Sequence, residues 1–305
     1  MMTMRDWNFS LILLAGLALW AGGQGTAVPG GDDRAPSAEE RSALLNRVIA
    51  DQHANDAALD LYERIERRET RKTARESAPA QVQVFRVVPA GTGSGRIPVG
   101  ADGKPADPAA YTAELRKLEN ALVWASEPSN REQRDALAKF QKRRKDRAEL
   151  VDAVRDAFVY TWLGREERGG RVLAKFQLDP NPKYKPTSRL TGIFSHVRGV
   201  AWVDESAGQL VRIEAEIAED ISFGGGLVAK VYKGGRFVLE QVEVAPGVWL
   251  PTLYDYNFDG RKFFFGVGVH ERTTVSQYKR IGPPKEALQV IRAELSNSKS
   301  SDTSR

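Results

Sequence analysis

From residue 172 onward the chain breaks into short β-branched and aromatic runs separated by tight turn sequences, and no other feature constrains its fold as much. Eight runs stand out, at 172–178, 199–204, 209–218, 227–233, 237–244, 249–258, 262–271 and 274–280. Their separators include Gly224-Gly225-Gly226, Lys233-Gly234-Gly235, Ala245-Pro246-Gly247 and Phe258-Asp259-Gly260-Arg261. Linkers this short join antiparallel neighbours, because a parallel crossover needs roughly a dozen residues or more. Strands in this number with almost no helix between them predict a curved sheet, open or closed into a barrel.

Periodicity assigns the faces. In 209–218, Val211, Ile213, Ala215 and Ile217 alternate with Arg212, Glu214 and Glu216, so one face is buried and the other meets water. Phe263, Phe264 and Phe265 run together and load both faces of their strand, which then requires a cover on each side. The inward aromatics and aliphatics of the sheet have two readings, a filled core or the lining of a lipid-sized cavity.

The first half of the mature chain is more helical. Ser37 and Glu40 form a capping box, followed by Leu44, Leu45, Val48 and Ile49 on one helical face. On pattern alone 59–75 reads as helix, whereas 81–88 reads as a strand running into a loose glycine-rich turn. A polar helical block covers about 108–157 and breaks near Pro128; Leu115, Leu118 and Leu122 make one apolar stripe, and Leu150, Val151, Val154 and Phe158 a second. Helix, break, helix predicts a helical-hairpin insert, and residues 282–305, rich in Lys and Ser, read as a flexible tail.

The beginning of the chain follows signal-peptide grammar. Arg5 precedes an apolar run from Phe9 to Ala21, and small residues follow through Gly25 and Ala27. Those thirteen residues fall short of the ~20 that a membrane-spanning helix needs, so residues 1–27 are expected to be cleaved near 23–27, leaving 28–37 as a linker. The expected location is periplasmic or secreted. The chain has no cysteine, which excludes disulfides, thiolate metal sites, a Cys nucleophile and a lipid-bearing Cys.

Net charge is +5, and 131–147 alone supplies that excess with eight basic side chains against three acidic ones. The pI of 9.3 is therefore a local property, and nucleic acid is not an expected partner of an exported chain. Within the run, Lys142, Arg143, Arg144 and Lys145 are the candidates for a peripheral contact with an anionic membrane or a partner; the other reading is a solvated helix face.

A search for chemistry finds little. His53, His196 and His270 lie far apart, outside any metal-binding spacing, and read as surface or rim residues. Gly91-Thr92-Gly93-Ser94-Gly95 lacks the lysine and helix start of a phosphate loop. Asp255, Asn257 and Asp259 before Gly260 match the opening of a calcium loop, but the twelfth position is Gly266 and Asp259-Gly260 is a common hairpin turn. Catalytic residues, metal ligands and cofactors are accordingly expected to be none.

The strand half resembles a known group. Gly199 to Asp204 with Trp202, Leu210 to Glu216, Lys233-Gly234-Gly235-Arg236-Phe237, Val248-Trp249-Leu250-Pro251 and Tyr278-Lys279-Arg280, in this order, resemble the LolA/LolB-like superfamily of outer-membrane lipoprotein-sorting proteins. They are most similar to a secreted branch that carries Asp102-Gly103-Lys104-Pro105 and a charged helical insert. The resemblance implies an α+β, β-rich domain over 38–281: a strongly curved antiparallel sheet, or half-open β-barrel, covered by helices and enclosing an apolar cavity for acyl chains. It also implies that 59–71 is the first strand. The candidate cavity residues are Trp202, Val211, Ile213, Ile217, Phe223, Phe237, Leu239, Trp249, Tyr254 and Phe265. The expected function is a non-enzymatic carrier of lipid, acylated peptide or lipoprotein. An envelope interaction protein with a filled barrel is the alternative, and a hydrolase the third reading.

Overall fold

The computed structural model describes residues 34–73, 80–223, 228–263 and 265–302, so the expected signal segment and its cleavage site lie outside the described residues. The capping box is present: the Glu40 amide donates to Ser37 Oγ at 3.1 Å, and the Ser37 amide donates to Glu40 Oε2 at 2.7 Å. These bonds, with Arg34 beside it, bring the Glu40 carboxyl down to about 2.

The capping box opens helix α1 (Ala38–Leu59), followed by strands β1 (Tyr62–Arg71), β2 (Gln81–Pro89) and β3 (Ser94–Val99), then helices α2 (Pro108–Ser126) and α3 (Arg131–Ala157). Next come β4 (Phe158–Arg168), β5 (Arg171–Pro180), a 3-10 helix (Thr191–His196), β6 (Val197–Asp204), β7 (Gln209–Ile217), β8 (Ile221–Phe223) and β9 (Ala229–Val231). Strands β10 (Arg236–Ala245), β11 (Val248–Lys262) and β12 (Phe265–Arg280) lead to helix α4 (Pro284–Asp302). The fold is α+β. Its twelve strands hydrogen-bond in the order β3-β2-β1-β12-β11-β10-β7-β6-β5-β4, with β9 on β11 and β8 on β9, and the sheet does not close.

Two compact units divide the chain. One comprises described residues within 1–55, 70–80 and 146–272; the other comprises those within 56–69, 81–145 and 273–305. In the first, Leu150 and Ala157 of α3 and Phe194 of the 3-10 helix pack on the apolar face of β4–β7, β10 and β11. In the second, Leu115, Leu118 and Leu122 of α2 meet Ala287, Leu288, Ile291 and Leu295 of α4, together with Val88, Ala90 and Ile97. The α2 stripe is therefore covered, and the supposed flexible tail is the helix that covers it.

Other differences have local causes. Leu59 closes α1, and residues 60–71 are turn and strand, as the resemblance implied, and not the helix that charge alone suggested. Phe158 belongs to a strand: Phe158, Tyr160 and Trp162 reach the core with period two, the β alternation that a helical stripe ending at Phe158 hides. Residues 94–99 form β3, because Gly91 (φ 75°) and Gly93 (φ 158°) close a hairpin in which the Ala90 amide donates to the Gly93 carbonyl at 2.8 Å. Residues 265–271 and 274–280, expected in two separate strands, are one strand, β12, while Lys262 ends β11. The hairpin expected at Asp259-Gly260 lies beyond Lys262, and Gly260 serves another purpose: a Cβ there would meet the Lys230 carbonyl of β9 at 2.5 Å.

The second unit also buries charge. Glu66 of β1 sits between Arg64 at 2.8 Å and Arg96 at 3.2 Å. Burial pushes its carboxyl up, yet the two arginines outweigh burial and hold it below its ordinary 4.5. A lowered folded-state value stabilises above the unfolded value and is lost as pH falls through the folded one. Thermal melts should therefore fall with pH below about 4.5, more steeply for the native chain than for Glu66→Gln. Parallel curves for the two proteins would refute this.

Candidate functional site

The site begins with the apolar face of the first unit. Ile213 and Ile217 of β7 and Phe237 and Leu239 of β10 are buried there, and Phe223 and Tyr254 pack against them half-buried. Register explains the grouping: Phe237 lies opposite Ala215 on β7 and Tyr256 on β11, and Leu239 opposite Ile213 and Tyr254. Side chains opposite one another across an antiparallel pair share a face.

Four of the expected residues are elsewhere. Val211 is the extra residue of a bulge, since Trp202 pairs with Arg212 and Val203 with Leu210; Leu210 takes its place against the core. Trp202 lies opposite Lys175 and Arg212, with Lys175 Nζ 4.9 Å from its ring centroid and its Nε1 donating to Glu166 at 2.6 Å. That is the charged face of the sheet. Trp249 is buried under the Arg171 guanidinium, 4.8 Å away. Phe265 is 77% exposed.

What fills the apolar face was only partly visible beforehand. Leu150, Phe176, Phe194, Ile217 and Phe237 are each at most 2% exposed, so the chain's own side chains occupy the space where a cavity was expected. Phe194 meets Phe158 edge to face at 5.4 Å.

The cover α1 is held differently. Leu44 packs on this core, but the bonds that seat the helix are polar. Asn55 is buried, with Nδ2 donating to Gln209 Oε1 at 2.8 Å and Oδ1 accepting from the Trp249 amide at 2.9 Å. Buried Gln241 donates to Gln52 Oε1 at 3.1 Å and to the Leu210 carbonyl at 2.9 Å. Arg47 donates to the carbonyls of Glu205 at 2.7 Å and Ser206 at 2.9 Å. Asn55, Gln209 and Gln241 carry no sequence pattern that marks them, because an amide in a helix or strand looks like a solvent-facing residue.

A polar cleft of about 320 Å³ is lined by Arg71, Thr73, Asp255, Tyr256, Asn257, His270, Glu271 and Arg272. His270 is buried rather than on a rim; its Nδ1 lies 2.7 Å from Asn257 Oδ1 and its Nε2 3.4 Å from Asp259 Oδ1. The imidazole thus faces an amide and a carboxylate, whereas nucleophilic catalysis asks it to face a hydroxyl or thiol. His53 lies 2.7 Å from Asp152 and His196 3.6 Å from Glu219, and the three histidines do not converge. Among the described residues no group of three or more His, Asp or Glu is placed to hold a metal ion.

The basic run lies on α3, where the chain itself engages candidates of the run. Arg143 donates to the Thr92 carbonyl at 3.0 Å and Arg144 lies 3.4 Å from Asp60, while Lys142 and Lys145 are exposed. Among the described residues no helix is long and apolar enough to cross a membrane.

No family model matches the chain, and no curated protein matches it. Among solved structures the chain is similar, with a TM-score of 0.29, 10% identity and coverage of 77% of this chain and 93% of the other, to one described as an outer membrane lipoprotein-sorting protein domain from Vibrio parahaemolyticus. It is similar at the same TM-score, with 11% identity and coverage of 78% and 92%, to a DUF1329 family protein from Desulfovibrio piger.

Proposed function

We propose that the chain is an exported, non-enzymatic protein of the cell envelope, periplasmic in location, that takes lipid or an acylated peptide against the apolar face beneath α1. The observation that carries this reading is the polar seat of α1. A helix held mainly by apolar burial loses all of that burial on leaving its face. The amide bonds of Asn55, Gln52 and Gln241 can be exchanged for bonds to water, at a net cost of about 1 kcal/mol each. Such a cover can lift while the sheet beneath stays folded.

The direct test is organic extraction of the purified full chain followed by lipid mass spectrometry, with titration of a fluorescent fatty acid. Co-extracted lipid or saturable binding is expected. Asn55→Ala should lower stability by about 1–3 kcal/mol and speed probe entry, because it unfastens the seat and leaves Gln209 with one fewer partner. Absence of both lipid and binding overturns the proposal. The result would then favour an envelope interaction protein with a filled interior, a reading supported by the fully buried Phe194 and Phe237.

A further inference from the structure

β3 and β4 end the strand order among the described residues, and the two edges differ. β3 is only six residues long and includes Pro98. By the alternation that the Ala90 to Gly93 bond begins, Pro98 stands where an outward N–H would be, so that edge is blunted. β4 has eleven residues, and its opening Phe158-Val159-Tyr160-Thr161-Trp162-Leu163 holds neither a charge nor a proline. An edge without such protection is a template for a further strand.

Register fixes which groups of β4 are available. The Asn181 amide donates to the Ala157 carbonyl at 2.9 Å, and the pairs Phe158–Pro180, Tyr160–Leu178 and Trp162–Phe176 follow. Hydrogen-bonded and open pairs alternate in an antiparallel ladder, so Val159 and Thr161 bond β5, while Tyr160 and Trp162 turn their N–H and C=O toward the open edge. Side chains follow the same count. Phe158, Tyr160 and Trp162 meet the core, whereas Val159, Thr161 and Leu163 are exposed, Val159 and Leu163 each by 48%. Leu163 is the extra residue of a bulge, since Trp162 pairs with Phe176 and Gly164 with Lys175, and the straight edge stops there.

This segment is complementary to itself. Turned about a two-fold axis through Thr161, Tyr160 of one copy lies opposite Trp162 of the other, and the outward groups of each such pair exchange both backbone bonds. On the outer face Val159 meets Leu163 of the second copy and Thr161 meets its counterpart, and apolar and threonine pairs of this kind are favourable. The charged stretch Arg165 to Arg168 lies beyond the bulge, outside the ladder. An unrelated strand would find the same backbone groups, but a match on both faces at one register singles out a second copy. We infer that β4 pairs antiparallel with β4 of a second copy over 159–163, joining two sheets edge to edge. Because the other edge is blunted, pairing stops at two copies. The inference does not depend on whether the face beneath α1 takes a ligand.

Sedimentation velocity of the purified full chain over a range of concentrations should show a monomer–dimer equilibrium and no larger species. Val159→Lys with Leu163→Lys sets like charges opposite each other and should weaken dimerisation about tenfold, and Val159→Glu with Leu163→Glu should do the same. Mixing the two variants should restore dimers, a result that misfolded variants could not give. The chain has no cysteine, so Thr161→Cys tests the axis. Opposed Cα atoms of an open pair lie roughly 4.5 Å apart, within disulfide range, and mild oxidation should yield a covalent dimer. Val242→Cys, at an exposed site on β10, should stay monomeric under the same oxidation. The inference is overturned if the native chain is monomeric at every concentration, in which case β4 is left for an extended segment of another protein. It is equally overturned if the lysine variant dimerises as the native chain does, if the mixed variants stay apart, or if Thr161→Cys does not cross-link.

Discussion

Arg86→Met should be among the most destabilising single substitutions in the second unit, with an expected loss of about 3–5 kcal/mol. Arg86 of β2 donates from Nε and Nη2 to Glu63 Oε2 at 2.8 and 2.5 Å. From Nη1 it donates to both Glu294 oxygens, at 2.9 and 2.8 Å, and to the Tyr111 hydroxyl at 2.5 Å. Tyr111 in turn donates to Glu294, and burial together with that carboxylate pushes its hydroxyl up to about 12. One guanidinium therefore joins β1, β2, α2 and α4. Burial works against its charge, but Glu63 and Glu294 outweigh burial and keep it protonated. Methionine of similar length preserves volume and strands two carboxylates, of which Glu63 keeps a second cation near it, Lys279 at 3.5 Å. Urea titration measures the effect, and Glu63→Gln in the Arg86→Met background should restore part of the loss. A loss below about 1 kcal/mol would mean that the cluster behaves as a solvated surface pair.

Phe237→Ala should cost about 3–5 kcal/mol in the first unit. Its ring is fully buried, 5.2 Å from that of Tyr256, and stands between Ala215 and Tyr256 across the strands. Alanine leaves a hole that the β ladder on both sides keeps from collapsing. The same denaturant measurement decides the matter, and a loss below about 1.5 kcal/mol would imply that the face is loosely packed rather than filled.

The strands were legible wherever turn chemistry and period two agreed, as at β7 and β10, and the antiparallel sheet followed from them. Legibility ended where one residue broke the count. A bulge at Val211 transferred its place to Leu210, which strict alternation cannot reveal. Gly260 looked like a turn and proved to be a close approach of β9 to β11, a long-range fact that no local window contains. Phe265 reads from the sequence as one of the inward aromatics of the sheet, and the fold leaves it outside. At the candidate site the aliphatic half was readable from Ile213, Ile217 and Leu239. The polar half was not, since Asn55, Gln209 and Gln241 become a seat only when α1 and the sheet meet.

That seat also gives α1 an address. Apolar contact is nearly indifferent to small slides along a face, whereas an amide aimed at one acceptor is satisfied in one register only. Asn55 bridges Gln209 and the Trp249 amide at once, and a helix displaced by a single turn would satisfy neither. Whatever lifts α1 from the sheet, the helix has one place to return to.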